Sequence, residues 1–333
     1  MDFPRSWIVL IAAVAAIVGP ASKSAGETPP DPGYSSYAIG NISSPRQAST
    51  EPALLLAGGG NYALDAFRWF AGKSGHGHLV ILAASGGAER GEEMYREVGG
   101  FASVQTLIFR SRKAAFDGKV LKALRRADAI FIAGGDQANY VRYWKGTPVA
   151  RAIDARIRNR RPVGGTSAGL AILGGAGYGA MDGGSIESAT ALADPLGPPV
   201  TIVRDFLHMP FMAHIVTDTH FMARNRLGRL IAFVANVRAT SDAKAVGLGI
   251  DEGSALAVDA KGIGRLYSVT KGSAWLVQPA GVAKVVKGRA LEHSSIRITR
   301  IGIDGAIDLK TLSVTKPVSS AVVSVRGGQL NGI

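Results

Sequence analysis

The chain has 333 residues, 47% of them hydrophobic, and 43 glycines: enough apolar side chain for one large or two modest packed domains, which excludes a disordered tail protein. It has no cysteine, which excludes disulfide staples, a thiol nucleophile, a lipidated cysteine and thiolate-ligated zinc. The formal net charge of +13 favours acidic partners, but no helix-turn-helix or zinc motif accompanies it, so nucleic acid is not expected among them.

Arg5, the apolar run "WIVLIAAVAAIVGP" and the small residues of "ASKSAG" follow the order of a secretory signal, with charged, hydrophobic and cleavage regions. The run is short for a membrane span. Residues 1–25 are therefore expected to be a signal peptide. The mature protein is expected to be exported, periplasmic or extracellular, with no stable membrane span after cleavage; an uncleaved N-terminal anchor is the alternative. Residues 26–51, rich in Pro, Ser, Gly and Asn, read as a flexible lead-in, with the fold starting near Pro52.

From Pro52 onward, short apolar runs ending in glycine alternate with helical patterns, the signature of a doubly wound α/β sheet. The runs are "ALLLAGGGN", "HLVILAASGG", "SVQTLIF", "DAIFIAGGDQ" and "PVGGTSAG". Between them, "ALDAFRWFAG", "RGEEMYREVGGFA", "GKVLKALRRA" and "NYVRYWKGTPVARAIDARIR" carry apolar residues at helical spacing. The basic cluster "RIRNRRP" at 156–162 reads as a solvated helix end. After the amphipathic "FMARNRLGRLIAFVANV", the pattern changes to short strands and turns. The expected fold is thus a mostly parallel sheet flanked by helices over 52–258, with a β-rich, antiparallel C-terminal extension over 259–333 packed on the same domain. Loops at the C-terminal ends of the parallel strands should converge on one crevice.

Within that frame, "AGGGNYALDAF" does not satisfy G-x-G-x-x-G, because Ala63 stands at the third glycine position; a close-approach loop is the better reading than a dinucleotide turn. "GGTSAG" sets Ser167 on a sharp strand-to-helix bend between small residues, where an exposed hydroxyl and the following N–H groups suit a nucleophile, a structural turn or a phosphate loop equally well. A nucleophile needs a base, and of the six histidines His220 stands out, with Asp218, Arg224, Arg226 and Arg229 around it. Asp251 and Glu252 end a later apolar strand, and alternation lets one of the two face the crevice.

"AGGGN", "IAGGDQ", "GGTSAG", "DTHFMARNRLGRL" and "GIDEGSAL", in this order from about Pro52 to Leu312, resemble cyanophycinases and their relatives in peptidase family S51, which includes aspartyl dipeptidase. The resemblance implies a fold like that of class I glutamine amidotransferases and a Ser-His-Glu triad with Ser167 as nucleophile, His220 as base and then acid, and Glu252 as its orienter. It implies an oxyanion hole from the backbone of Gly135 and Ala168, and a substrate pocket formed by Gln137, Asp218, Thr219, Arg224, Arg226 and Arg229. Thr219 departs from the glutamine usual at that position, and a shorter hydroxyl reaches and donates differently from an amide.

The expected function is an exported serine exopeptidase acting on an aspartate-rich peptide or polymer through an acyl-enzyme, with no metal or organic cofactor; a homodimer is compatible with the resemblance. Two alternatives are a non-catalytic binder of aspartyl or arginyl peptides, and a metallohydrolase using His214, Asp218 and His220 as ligands. The spacing of those three does not match H-E-x-x-H.

Overall fold

A computed structural model describes residues 31–43, 45 and 49–332. The expected signal segment, 1–25, lies outside the described residues. Among these residues no helix is long and apolar enough to cross a membrane.

Two sheets form the frame. The first runs in the order Tyr34–Gly40, Ser103–Phe109, His78–Ala83, Ala129–Ile132, Val163–Thr166, Leu54–Ala57, Ser254–Val258, Ile263–Ser268, Ala306–Asp308, Ser313–Thr315. Its five strands from Ser103–Phe109 to Leu54–Ala57 are mutually parallel, and the flanking pairs are antiparallel. Strands such as Leu54–Ala57 and His78–Ala83 are buried at every position, as a sheet covered on both faces requires. On one face Leu55, Leu79, Ile81 and Phe131 pack with Phe67 and Phe70 of the helix Leu64–Lys73. On the other, Leu54, Leu56, Val80 and Ile132 pack with Val120, Leu124, Tyr140, Trp144 and Ile153 of three further helices. This alternation is the sheet period of two expressed as two cores.

The second sheet runs Gln329–Asn331, Ser319–Arg326, Glu292–Ile301, Ala274–Pro279, Val246–Ile250, Ile215–Asp218, Ala176–Tyr178, Ile202–Arg204. Ile215–Asp218 pairs in parallel with the strand on each side of it. Leu248, Ile215, Leu276 and Ile301 join the core that contains Leu54 and Ile132. Val216, Val277, Ile296 and Val323 pack instead with Leu230, Phe233 and Val234 of the helix Leu227–Thr240. The C-terminal strands therefore divide between two sheets.

Four expectations change in detail. Tyr34–Gly40, expected in the lead-in, pairs along its whole length with Ser103–Phe109, so the fold begins before Pro52. "NYVRYWKGTPVARAIDARIR" forms two helices, Gln137–Trp144 and Pro148–Arg158, because Gly146 turns at φ 71° and Pro148 starts a new first turn without an N–H to donate. The helix expected from Phe221 starts at Leu227: Asn225 at φ 47° ends the preceding turn and leaves Arg224 exposed on it. Nor is the 156–162 cluster wholly solvated, since Arg156 is buried with Nη1 donating to the Arg125 carbonyl at 2.7 Å and Arg161 pairs with buried Asp128 at 3.0 Å.

Candidate active site

The bend after Val163–Thr166 puts Ser167 at φ 52°, ψ −120°, in the left-handed half of backbone space that a residue with a side chain occupies at a cost. The surrounding small residues are what allow it. A Cβ on Gly169 would stand 2.1 Å from the Ile132 carbonyl oxygen, and one on Gly165 would stand 2.7 Å from the carbonyl carbon of Gly169. The helix Ala168–Ala171 thus lies tight against the strand before it, and the hydroxyl is carried at the apex between them.

Ser167 Oγ lies 2.6 Å from His220 Nε2, and His220 Nδ1 lies 2.5 Å from Glu252 Oε1. These three side chains come from distant parts of the chain. Ser167 follows a parallel strand of the first sheet. His220 follows Ile215–Asp218 of the second. Glu252 sits where the chain leaves Val246–Ile250 of the second sheet and enters Ser254–Val258 of the first. The glycine turn after Leu54–Ala57 packs against both partners: the His220 N–H donates to the Gly58 carbonyl at 2.8 Å, and the Gly253 N–H donates to that of Gly59 at 2.8 Å. A Cβ on Gly59, at φ 102°, would stand 2.3 Å from His220 Cε1, so the imidazole occupies the space that any side chain there would need. The turn is a close-approach loop.

Burial is the main influence on the His220 imidazole and pushes its pKa below the ordinary histidine value; the Glu252 hydrogen bond and charge oppose this, while the Arg224 and Arg226 charges reinforce it. A neutral imidazole facing a hydroxyl and backed by a carboxylate can take a proton from that hydroxyl and hold it as imidazolium.

The adjoining cavity, about 190 Å³, is lined by Gly135, Asp136, Gln137, Ser167, Ala168, Tyr178, Ser185, Asp218, Thr219 and all three arginines, among others. The turn carrying Gly135, at φ 147°, lies against the serine, since a Cβ on neighbouring Gly134 would stand 3.3 Å from Ser167 Cβ. Gln137 opens the next helix, whose cap is Asp136, with Oδ1 accepting from the Ala138 N–H at 2.9 Å.

Asp218, which the resemblance places in the substrate pocket, is paired internally. Its carboxylate is buried and accepts from Arg229 Nε at 2.8 Å and Nη2 at 2.6 Å, a bidentate internal pair, and also from the Thr219 N–H at 2.8 Å. Thr219 is likewise directed inward, its Oγ1 and carbonyl accepting from Arg226 Nη1 at 3.1 and 2.8 Å. Arg226 also reaches Ser185 Oγ at 3.2 Å, and Arg229 Nη1 reaches the same oxygen at 2.7 Å. Burial, then the Arg229 charge, brings the Arg226 pKa down to about 10, which keeps the group cationic at neutral pH. Arg224 is exposed at the rim, its Nε 3.9 Å from Glu252 Oε1.

The metal-ligand set is not assembled. His214 Nδ1 is 2.8 Å from Asp242 Oδ2, Asp218 is held by Arg229, and His220 lies between serine and glutamate. Among the described residues no three His, Cys, Asp or Glu side chains are grouped to hold a metal ion. Tyr178 and Ser185 line the cavity and were not anticipated: they fall in a loop and a three-residue strand whose sequence carries no periodic signal. Asp251, left open beside Glu252, turns away from the cavity.

A family model described as peptidase family S51 matches residues 54–266. Among curated proteins, the cyanophycinases of Trichormus variabilis and of a Nostoc species are each 28% identical over 244 residues, covering 69% of this chain and 75% of theirs. The cyanophycinase of Synechococcus elongatus is 29% identical over 192 residues, 57% of this chain and 54% of its own. A solved structure, a peptidase from an acI-B1 Actinobacterium, aligns with a TM-score of 0.48 and 14% identity over 86% of this chain and 99% of that one.

Proposed function

This chain belongs to peptidase family S51 and is a serine-type peptidase, and from that premise we propose that it is an exopeptidase that cleaves aspartyl peptide bonds through Ser167, His220 and Glu252. The observation that carries this reading is the unbroken relay from Ser167 Oγ to His220 Nε2 at 2.6 Å and from Nδ1 to Glu252 Oε1 at 2.5 Å.

In the proposed reaction His220 Nε2 takes the Ser167 hydroxyl proton as Oγ bonds to the substrate carbonyl carbon. The charge that builds on the carbonyl oxygen is met by the backbone N–H groups of Gly135 and Ala168. Glu252 keeps Nδ1 protonated and stabilises the imidazolium. The imidazolium then protonates the departing amine as the C–N bond breaks, which leaves an acyl-enzyme. Water, deprotonated by the same imidazole, releases the acid and restores the hydroxyl.

The pocket chemistry supports an acidic acyl half. Three guanidinium groups line the cavity against two carboxylates, Asp136 and Asp218; Asp218 pairs with Arg229 and stands 3.7 Å from Arg226, and Glu252 is engaged with the imidazole, so the wall keeps a small excess of positive charge suited to a substrate carboxylate. With Asp218 engaged internally, Asp136 is the other carboxylate on the cavity wall for an amine or guanidinium. Cyanophycin and short β-aspartyl peptides both fit this description. Export is part of the proposal, on the strength of the signal-like order of the first 25 residues, and is checked by fractionating cells and reading the N-terminus of the mature protein.

The function is tested by mass spectrometry of products from cyanophycin and a panel of β-aspartyl dipeptides, with Ser167→Ala alongside. Cleavage by the wild type and its loss to background in Ser167→Ala is the expected result. Tight binding of the peptides without turnover by the wild type would favour the non-catalytic binder.

A further inference from the structure

Asp251 is 8% exposed, and its carboxylate accepts three N–H donors. Oδ1 takes the Met222 N–H at 3.1 Å; Oδ2 takes the Ser273 N–H at 2.8 Å and Trp275 Nε1–H at 3.0 Å. The donors come from two parts of the fold. Met222 lies in the turn that begins with His220. Ser273 immediately precedes Ala274–Pro279, the neighbour of Val246–Ile250 in the second sheet, and Trp275 lies in it. Asp251 itself is bonded to Glu252.

The His220 turn needs such a clamp. His220 lies at φ 46°, a conformation that a residue with a side chain keeps only where its surroundings over-determine it. Backbone bonds hold its first residues, from the His220 N–H to the Gly58 carbonyl and from the Phe221 N–H to that of Ile250 at 3.2 Å. The Asp251 carboxylate extends this hold to the next N–H, that of Met222. Behind the carboxylate, Trp275 packs against Phe221 with ring centroids 6.0 Å apart; Arg300 stacks over Trp275 at 5.5 Å while its Nε donates to Ser273 Oγ at 2.7 Å. The carboxylate is therefore backed by packed side chains.

We propose that Asp251 is a positioning residue: it joins the histidine turn to the strand end that carries Glu252, and so sets the His220–Glu252 contact on which proton transfer depends. It touches neither the cavity nor the hydroxyl, and it acts through His220. The proposal rests on the triad reading above.

Asp251→Asn separates the clamp from the fold. An amide has one acceptor oxygen; keeping it toward Ser273 and Trp275 turns NH₂ toward the Met222 N–H, donor against donor, so the tie to the histidine turn is the one that breaks. With the peptide cleaved by the wild type, kcat is expected to fall by about tenfold or more while KM moves by less than about threefold, since sub-ångström misplacement acts on chemistry before binding. The acid limb of kcat/KM should also move to lower pH, because a loosened Glu252 contact no longer holds the imidazolium. Trp275→Phe removes one donor to Oδ2 and keeps a ring; it is expected to give a smaller fall in kcat with the limb displaced in the same direction, and it carries the test should Asp251→Asn not fold.

A wild-type kcat and an unmoved limb in the folded variant overturn the proposal. So does an activity loss that merely tracks the folded fraction, with the limb unmoved. Ser167→Ala, run in parallel, separates the two readings: turnover by that variant overturns the serine mechanism itself, whereas an inactive Ser167→Ala beside an unaffected Asp251→Asn overturns the positioning role alone.

Discussion

At the scale of single residues, protonation of His220 is the quantity on which the proposed chemistry turns. Only the neutral imidazole can accept the serine proton, so activity must rise with pH through the imidazole pKa. Burial, Arg224 and Arg226 all lower that pKa. The acid limb of kcat/KM is thus expected below the ordinary histidine value, and the enzyme should keep working at pH values where a solvated histidine is already charged. Glu252→Gln removes the one partner that favours the charged ring. The limb should then move still lower and kcat should fall on the order of 10²- to 10⁴-fold, as loss of an orienting carboxylate does in other triads; a pH–rate profile of both proteins checks the two statements together. Ser167 was readable from its small neighbours, because close approach of a helix to a strand excludes side chains and leaves a signature in composition. Local pattern does not decide between Asp251 and Glu252, for both end the same strand and adjacent positions differ only in which donors happen to meet them; Glu252 follows only from the family resemblance. Asp218 shows the same limit: a carboxylate among arginines is legible, but which arginine takes it depends on Arg229 lying a turn into a helix whose start was displaced by Asn225.

At the scale of elements, the glycine turn at 58–60 is as much a part of the site as the motifs that carry side chains. Its sequence suggested a loop of close approach, and the structure gives that loop an object, the face of the His220 ring. Gly59→Ala introduces a Cβ 2.3 Å from Cε1 at a backbone φ of 102°. The left-handed strain of an alanine costs about 1 kcal/mol, and the clash is relieved most readily by rotating or displacing the imidazole. Turnover is expected to fall by about 10²-fold, in line with ångström-scale misplacement of a catalytic group, while the melting temperature drops by only a few degrees. Steady-state kinetics and thermal unfolding of the same preparation test this; a variant with full activity would mean that the ring does not depend on the empty space beside Gly59. Helix existence was legible from periodicity, whereas the boundaries at Gly146 and Asn225 were not, because the apolar pattern continues across breaks made by backbone conformation.

At the scale of the whole molecule, the site lies on the seam between two sheets, and the seam is also the core. Leu54, Leu56 and Ile132 from the first sheet share one apolar cluster with Ile215, Leu248, Leu276 and Ile301 from the second. The C-terminal strands were legible as β structure, but how they divide between sheets depends on long-range pairing, which local alternation does not encode. The consequence is that residues beyond 258 are not an accessory. Removing them would delete Leu276, Ile296, Ile298, Ile301 and Ile307, each 5% exposed or less, and would uncover one edge of Val246–Ile250 directly beside Asp251 and Glu252. With the burial of each such side chain worth about 1.5–3 kcal/mol, the loss of five is of the same size as the entire stability of an ordinary domain. A chain ending at Val258 is therefore expected to be unfolded and inactive. The full chain is expected to unfold in denaturant as one unit, with near-ultraviolet dichroism from Trp144 and Trp275 and peptidase activity lost at a common midpoint. Two resolved midpoints, or a folded and active fragment lacking the C-terminal strands, would show that the sheets are stabilised independently and that the seam holds the site without holding the protein together.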